Sequence, residues 1–118
     1  MASTHRLGML AERRVALKYE QLGFIILDRN WRCRSGELDL VAVKSSLIAI
    51  VEVKRRRSTA FGGAAAAVGP EKQSRIRAAT QAWLSVHPAW SQRSDLSIRF
   101  DVAAVTSGEI FILEQAFE

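Results

Sequence analysis

The chain has 118 residues, 48% of them hydrophobic and 25% charged, the profile of one soluble domain able to bury a core. No apolar run approaches the roughly 20 residues of a membrane helix, and MASTHRLGMLAERR contains no uninterrupted signal-type segment, so a cytoplasmic protein away from membranes is expected. The single cysteine, Cys33, excludes an internal disulfide and lacks the Cys/His company of a zinc site, while the net charge of +5 favours polyanionic partners, nucleic acid first.

Residues 3 to 22 read as a helix, capped by Ser3 or Thr4 and stopped by Gly23. Its uncharged stripe comprises His5, Gly8, Met9, Val15, Ala16, Tyr19 and Leu22, and Glu12 falls in the middle of it. A carboxylate facing a core must be solvated, paired, protonated or bound to a metal, because burying it alone costs several kcal/mol. Glu12 therefore either pairs with a nearby arginine or belongs to a site. Phe24 to Leu27 reads as a strand that resumes at Trp31 after Asp28-Arg29-Asn30. Leu38 to Val43 and Leu47 to Val53 are two more strands. The second is β-branched and apolar on both faces, as a central covered strand should be.

Ser58 to Gly69 is small and glycine-rich, consistent with a loop, a short helix or both. Pro70 opens a second helix to about Val86, with Ile76, Ala79 and Trp83 as its buried stripe and Lys72 on the same side. His87-Pro88 ends it. Leu96 to Val105 alternates as a strand that turns Leu96, Ile98, Phe100, Val102 and Ala104 to one face. After Thr106-Ser107-Gly108, Ile110 to Leu113 forms the last strand. Helix, three strands, helix, two strands imply a single α/β domain with a mixed sheet flanked by helices.

Two acids, Glu37 and Asp39, lie on one face of their strand, and Glu52 and Lys54 share a face of theirs. A hairpin centred between Ser45 and Ser46 sets Asp39 opposite Glu52 and Glu37 opposite Lys54. Opposite residues have Cβ atoms about 4.5–5.5 Å apart, and carboxylates that close repel unless a cation lies between them. Mg²⁺ takes such oxygen ligands, and a lysine beside it can help to deprotonate water or stabilise developing charge. This suits phosphodiester hydrolysis, with flanking phosphates held by arginine and lysine. The plainer alternative is a solvated Glu52–Lys54 pair at a strand end, since Glu-x-Lys is common. Three features count against it: the apolar strand that Glu52 ends, the acid in register, and the inward Glu12.

Asp39 followed in the next strand by Glu52-Val53-Lys54 resembles the D…(D/E)-x-K nuclease signature of the restriction-endonuclease-like superfamily, which includes Holliday-junction resolvases. The chain is more closely similar to the YraN-like family of predicted bacterial endonucleases. The matching segments are Gly8 with Glu12, Leu27-x-Arg29-Asn30-x-Arg32, Gly36 to Ala42, Val51 to Arg56, Phe61-Gly62 with the Lys72 helix, Arg99 to Val102, and Ala116-Phe117. Ala11 stands where the family's glycine is expected. The resemblance implies a restriction-endonuclease-like core and a Mg²⁺-dependent endonuclease, with Mn²⁺ a substitute, acting on DNA, including branched or junction DNA. It implies Asp39, Glu52 and Glu12 as metal ligands and Lys54 as the catalytic lysine, with Glu37 behind them. Arg29, Arg32, Arg34, Arg55, Arg56, Lys72 and Arg75 form the expected nucleic-acid rim, and a near-two-fold junction implies a homodimer. Asp101 reads as structural, and Trp31, Trp83 and Trp90 as core or interface. A binding module on the same fold that does not cut, and a protein-binding adaptor, are the rival readings. The adaptor alone predicts no salt-dependent DNA affinity.

Overall fold

In the computed structural model, residues 4–56 and 68–118 are described. Ser3 and all but the last two residues of the Ser58–Gly69 segment lie outside them. The elements are α1 (Thr4–Gln21), β1 (Ile25–Cys33), β2 (Gly36–Lys44), β3 (Leu47–Arg55), α2 (Pro70–Ser85), α3 (Pro88–Ser91), β4 (Ser97–Val105) and β5 (Ile110–Phe117). The strands form one sheet in the order β1-β2-β3-β4-β5. β3 and β4 run parallel and every other neighbour pair is antiparallel, so the expected mixed sheet is present.

Each face of the sheet carries its own core. Val41, Val43, Ile48, Ile50, Phe100, Val102 and Ala104 pack with Ile76, Ala79 and Trp83 of α2. Leu40, Ala42, Ala49, Val51, Ala103 and Val105 pack with Ala11, Val15, Ala16 and Tyr19 of α1. Ile48 to Val51 is buried throughout, which is why that segment is apolar at every position. The stripe expected on α1 is rotated. Ala11 is buried, whereas Met9 and Leu22 are 52% and 43% exposed. The cause is close approach: the sheet face beneath α1 is lined by Ala42, Ala49 and Ala103, and the helix turns its own small residues, Ala11 and Ala16, toward them. Glu12 consequently sits at the edge of the stripe, half-buried.

Three boundaries differ from the sequence-based expectation. β1 does not break at Asp28-Arg29-Asn30. A bulge between Ile26 and Asp28 absorbs one residue, and Asn30 takes φ 50° within the strand. β5 continues past Leu113 to Phe117, because a shift in register lets the Gln115 N–H reach Asp101 Oδ1 at 3.1 Å while Phe117 stacks on Phe100. Pro88 starts the short helix α3 as well as ending α2. Asp101 is structural as expected. It is fully buried and accepts from Tyr19 Oη at 2.6 Å and from the Arg99 guanidinium at 2.8 and 2.9 Å.

Asp28 shows what the bulge achieves. Its carboxylate accepts the indole N–H of the fully buried Trp83 at 3.0 Å. Trp83 in turn stacks on His87, with ring centroids 3.9 Å apart. Trp83→Phe is expected to lower stability by about 1–2 kcal/mol, read from the urea midpoint, because the hydrogen bond and part of the ring volume go together.

Candidate active site

The hairpin register is the one the sequence indicates: Leu40 pairs with Val51 and Lys44 with Leu47. The ladder stops one pair short of Asp39 and Glu52. There the Asp39 carboxylate replaces the main chain, accepting the Val53 N–H at Oδ2 over 2.9 Å. β3 stays in the sheet on its other side, where β4 pairs with it as far as Arg55. β2 and β3 therefore part beyond Leu40, and a cavity opens between them and α2.

This cavity, about 230 Å³, is lined by Gly36, Glu37, Asp39, Glu52, Lys72, Arg75 and Ile76. A second groove of about 500 Å³ lies on the α1 side, lined by Gly8, Met9, Glu12, Asn30, Arg32, Glu37 and Asp39. Glu37 and Asp39 form the wall common to both. A larger cleft of about 700 Å³ lies elsewhere, between α1 and the end of β4. It is lined by Leu10, Leu17 and Val105 with Arg13, Arg14, Arg55 and Arg56, and holds none of the acids. The expected basic bracket is thus divided. Arg32, Lys72 and Arg75 stand beside the acids, Arg55 and Arg56 line the apolar cleft, and Arg29 and Arg34 are exposed on and just past β1.

Charge is unevenly balanced across the site. Burial, and then the Glu52 carboxylate, push Asp39 up to about 7; the Val53 hydrogen bond opposes this, while Glu12 and Glu37 add to it. Glu52, almost wholly buried, is met by two ammonium groups at the same oxygen. Lys72 Nζ lies 2.6 Å and Lys54 Nζ 3.4 Å from Oε1. Burial, and then contact with Lys72, hold Lys54 below its ordinary value. Burial is the largest single influence on Lys72 and pulls it down, but its hydrogen bond to Glu52, its contact with Lys54 and the charges of Glu52 and Asp39 together outweigh this and leave it raised. The β2–β3 ladder ends before Glu37, and of the two partners open to it, Lys54 or an arginine, its carboxylate meets Arg32, directly opposite on β1, at 3.6 Å.

Asp39, Glu52, Lys54 and Lys72 are therefore brought together, with Glu37 and Arg75 at the rim. Glu12 borders Asp39 from the α1 side, and among the described residues no three His, Cys, Asp or Glu side chains converge as a ready-made metal cage. Sequence reasoning overlooked Lys72 as the nearest partner of Glu52. The signal was present: Lys72 shares a helix side with Ile76, Ala79 and Trp83, and a charge on a buried stripe needs a partner.

Fold and site together define a small α/β domain, consistent with a restriction-endonuclease-like core, whose parted strands hold a carboxylate pair and two lysines beside a cavity. Among the described residues no helix is long and apolar enough to cross a membrane. Residues 11–105 match the family described as "Uncharacterised protein family UPF0102", a span that contains Glu12, Asp39, Glu52, Lys54 and Lys72, and the chain belongs to this YraN-like family. A UPF0102 protein of Kineococcus radiotolerans is 43% identical over 102 residues, 86% of this chain and 81% of its own length. One from Bordetella avium is 40% identical over 97% of this chain and 76% of its own. Another, from Syntrophus aciditrophicus, is 38% identical over the whole chain and 93% of its own length.

Proposed function

We propose that the protein is a metal-dependent endonuclease that hydrolyses phosphodiester bonds in DNA, with branched or four-way junction DNA as the favoured form. The observation that carries this reading is the pair Asp39 and Glu52: two carboxylates drawn out of water at one cavity, one of them raised to about 7 by burial and by the other. Like charges at one cavity favour a cation, and the ammonium contacts of Lys72 and Lys54 both fall on Glu52. Hard oxygen donors of this kind fit Mg²⁺ or Mn²⁺, so Asp39 and Glu52 would hold the ion, with Glu12 approaching from the neighbouring groove. When bound, such an ion supplies charge neutralisation for phosphate oxygens and activation of water.

The chain's own groups then have distinct tasks. The Val53 N–H fixes the Asp39 carboxylate. Lys54, half-buried and held below its usual range, is suited to move a proton at the attacking water or to stabilise charge on the phosphate. Water adds to phosphorus, the bond to the leaving oxygen breaks, and that oxygen takes a proton. Arg32 and Arg75, on opposite sides of the acids, would hold the flanking phosphates. A cytoplasmic setting and a homodimer on a two-fold junction belong to this reading.

The test is cleavage of labelled single-stranded, duplex, flap and junction DNA with Mg²⁺ or Mn²⁺, with Asp39→Ala beside the wild type. Metal-dependent cleavage lost in Asp39→Ala supports the assignment. Binding without cleavage in any metal replaces it with a DNA-binding module. In the same DNAs, Arg32→Ala and Arg75→Ala are each expected to weaken binding and to flatten the slope of log affinity against log salt by about 1. Fluorescence anisotropy across a KCl series reads this directly, and unchanged slopes would place the phosphates elsewhere.

A further inference from the structure

We propose that Lys72 is a built-in counter-ion that occupies Glu52 in the metal-free protein and must leave it when a divalent cation binds, so that Lys72 sets the cation affinity of the site. This rests on the reading of Asp39 and Glu52 as cation ligands.

The argument begins with charge. With both carboxylates ionised, Asp39 and Glu52 balance the two ammonium groups of Lys54 and Lys72, and Glu37 balances Arg75 on the same cavity wall, so the site is close to neutral without a metal. Adding a divalent ion while keeping both lysines would leave about two uncompensated positive charges in a half-buried place, which is costly in a low dielectric. One lysine has to yield. Lys54 is fixed by the strand, with its side chain 21% exposed. Lys72 is 37% exposed on a four-carbon stem, and it occupies the closer position, 2.6 Å from the carboxylate oxygen. The helix does not hold it there either, because Lys72 lies in the first turn of α2, where the macrodipole disfavours a cation. Its hold is Glu52 itself. The cavity that Lys72 lines gives the released ammonium somewhere to go, beside Arg75, where a substrate phosphate would take the place of the carboxylate.

Lys72 is thus a positioning residue, and its effect is visible without DNA. The experiment is titration of the full chain with Mn²⁺ alone, followed by calorimetry and by the electron-paramagnetic signal of the free ion. Lys72→Met and Lys72→Gln are expected to bind Mn²⁺ on the order of tenfold more tightly than the wild type, within the usual range of site–site coupling. Lys72→Arg, which keeps the charge, is expected to bind as the wild type does. Without Mn²⁺ the two neutral variants should unfold at lower temperature, and saturating Mn²⁺ should restore them. If the wild type binds Mn²⁺ and the neutral variants bind it equally or more weakly, Lys72 is not the competitor, and the metal-site reading survives. If no protein binds Mn²⁺, both ideas fall.

Discussion

Lys54→Met is expected to slow Mg²⁺-dependent cleavage about a thousand-fold while leaving DNA affinity within about threefold, since general acid–base and electrostatic groups at such sites each contribute roughly 10²–10³ or more. Methionine keeps the length and apolar packing of the lysine stem and removes the amine, so the change is chemical rather than steric. The fold should survive, because Glu52 retains Lys72 at 2.6 Å. That second ammonium prevents the outcome that usually spoils such an experiment, a buried carboxylate left alone at a cost of about 3–5 kcal/mol. DNA affinity should persist because Arg32 and Arg75 sit on the walls of the site and do not depend on Lys54. Single-turnover rates on junction DNA, with anisotropy and circular dichroism on the same samples, separate the three quantities. A rate within tenfold of the wild type would remove Lys54 from the chemistry.

How legible the site was in the sequence depended on which interactions are local. The segment Leu47 to Val53 announces a strand covered on both faces, and two serines flanked by strand residues fix the hairpin register, so Asp39 and Glu52 could be brought near each other without a structure. Helix α2 was legible for the same reason: a proline start and a 3.6-residue stripe ending at Trp83. What escaped was set by contacts between distant parts. The face that α1 buries depends on the alanines it meets in β2, β3 and β4, which no helical projection can show. The bulge in β1 exists where Asp28 reaches Trp83, 55 residues away, so a run that looks like a turn stays in the sheet. Asp39 replacing a rung of the ladder is likewise a side-chain event that ideal pairing omits. A register argument places the two acids opposite each other, whereas the actual geometry parts the strands and leaves room for a ligand.

That parting has an energetic consequence in the metal-free protein. Asp39 is raised from 3.8 to about 7, chiefly by burial and then by Glu52, so its folded form binds a proton that the unfolded chain has already released at neutral pH. Between the two values the native state carries more protons than the unfolded one, and stability falls as pH rises. A carboxyl carried that far loses on the order of 4 kcal/mol once fully ionised, and sharing of the repulsion with Glu52 reduces the amount recoverable at Asp39 to about 2–3 kcal/mol. Asp39→Asn cannot ionise, yet its amide oxygen can still accept the Val53 N–H. The variant should therefore be more stable than the wild type by about 2–3 kcal/mol at pH 8, several degrees in Tm for a chain of this size, and by little at pH 4. Millimolar Mg²⁺ should narrow the gap by stabilising the wild type more than the variant, since only the wild type offers the ion an ionised carboxylate at position 39. Thermal unfolding at pH 4, 6 and 8, with and without Mg²⁺, gives the full comparison. A gap that does not grow between pH 4 and 8 would mean that Asp39 ionises without strain. A gap that grows but ignores Mg²⁺ would mean that the pair is strained for a reason other than cation binding. A gap that grows and closes with Mg²⁺ would tie the instability to the ligand role, the trade of stability for function expected where like charges are held together in wait for a metal.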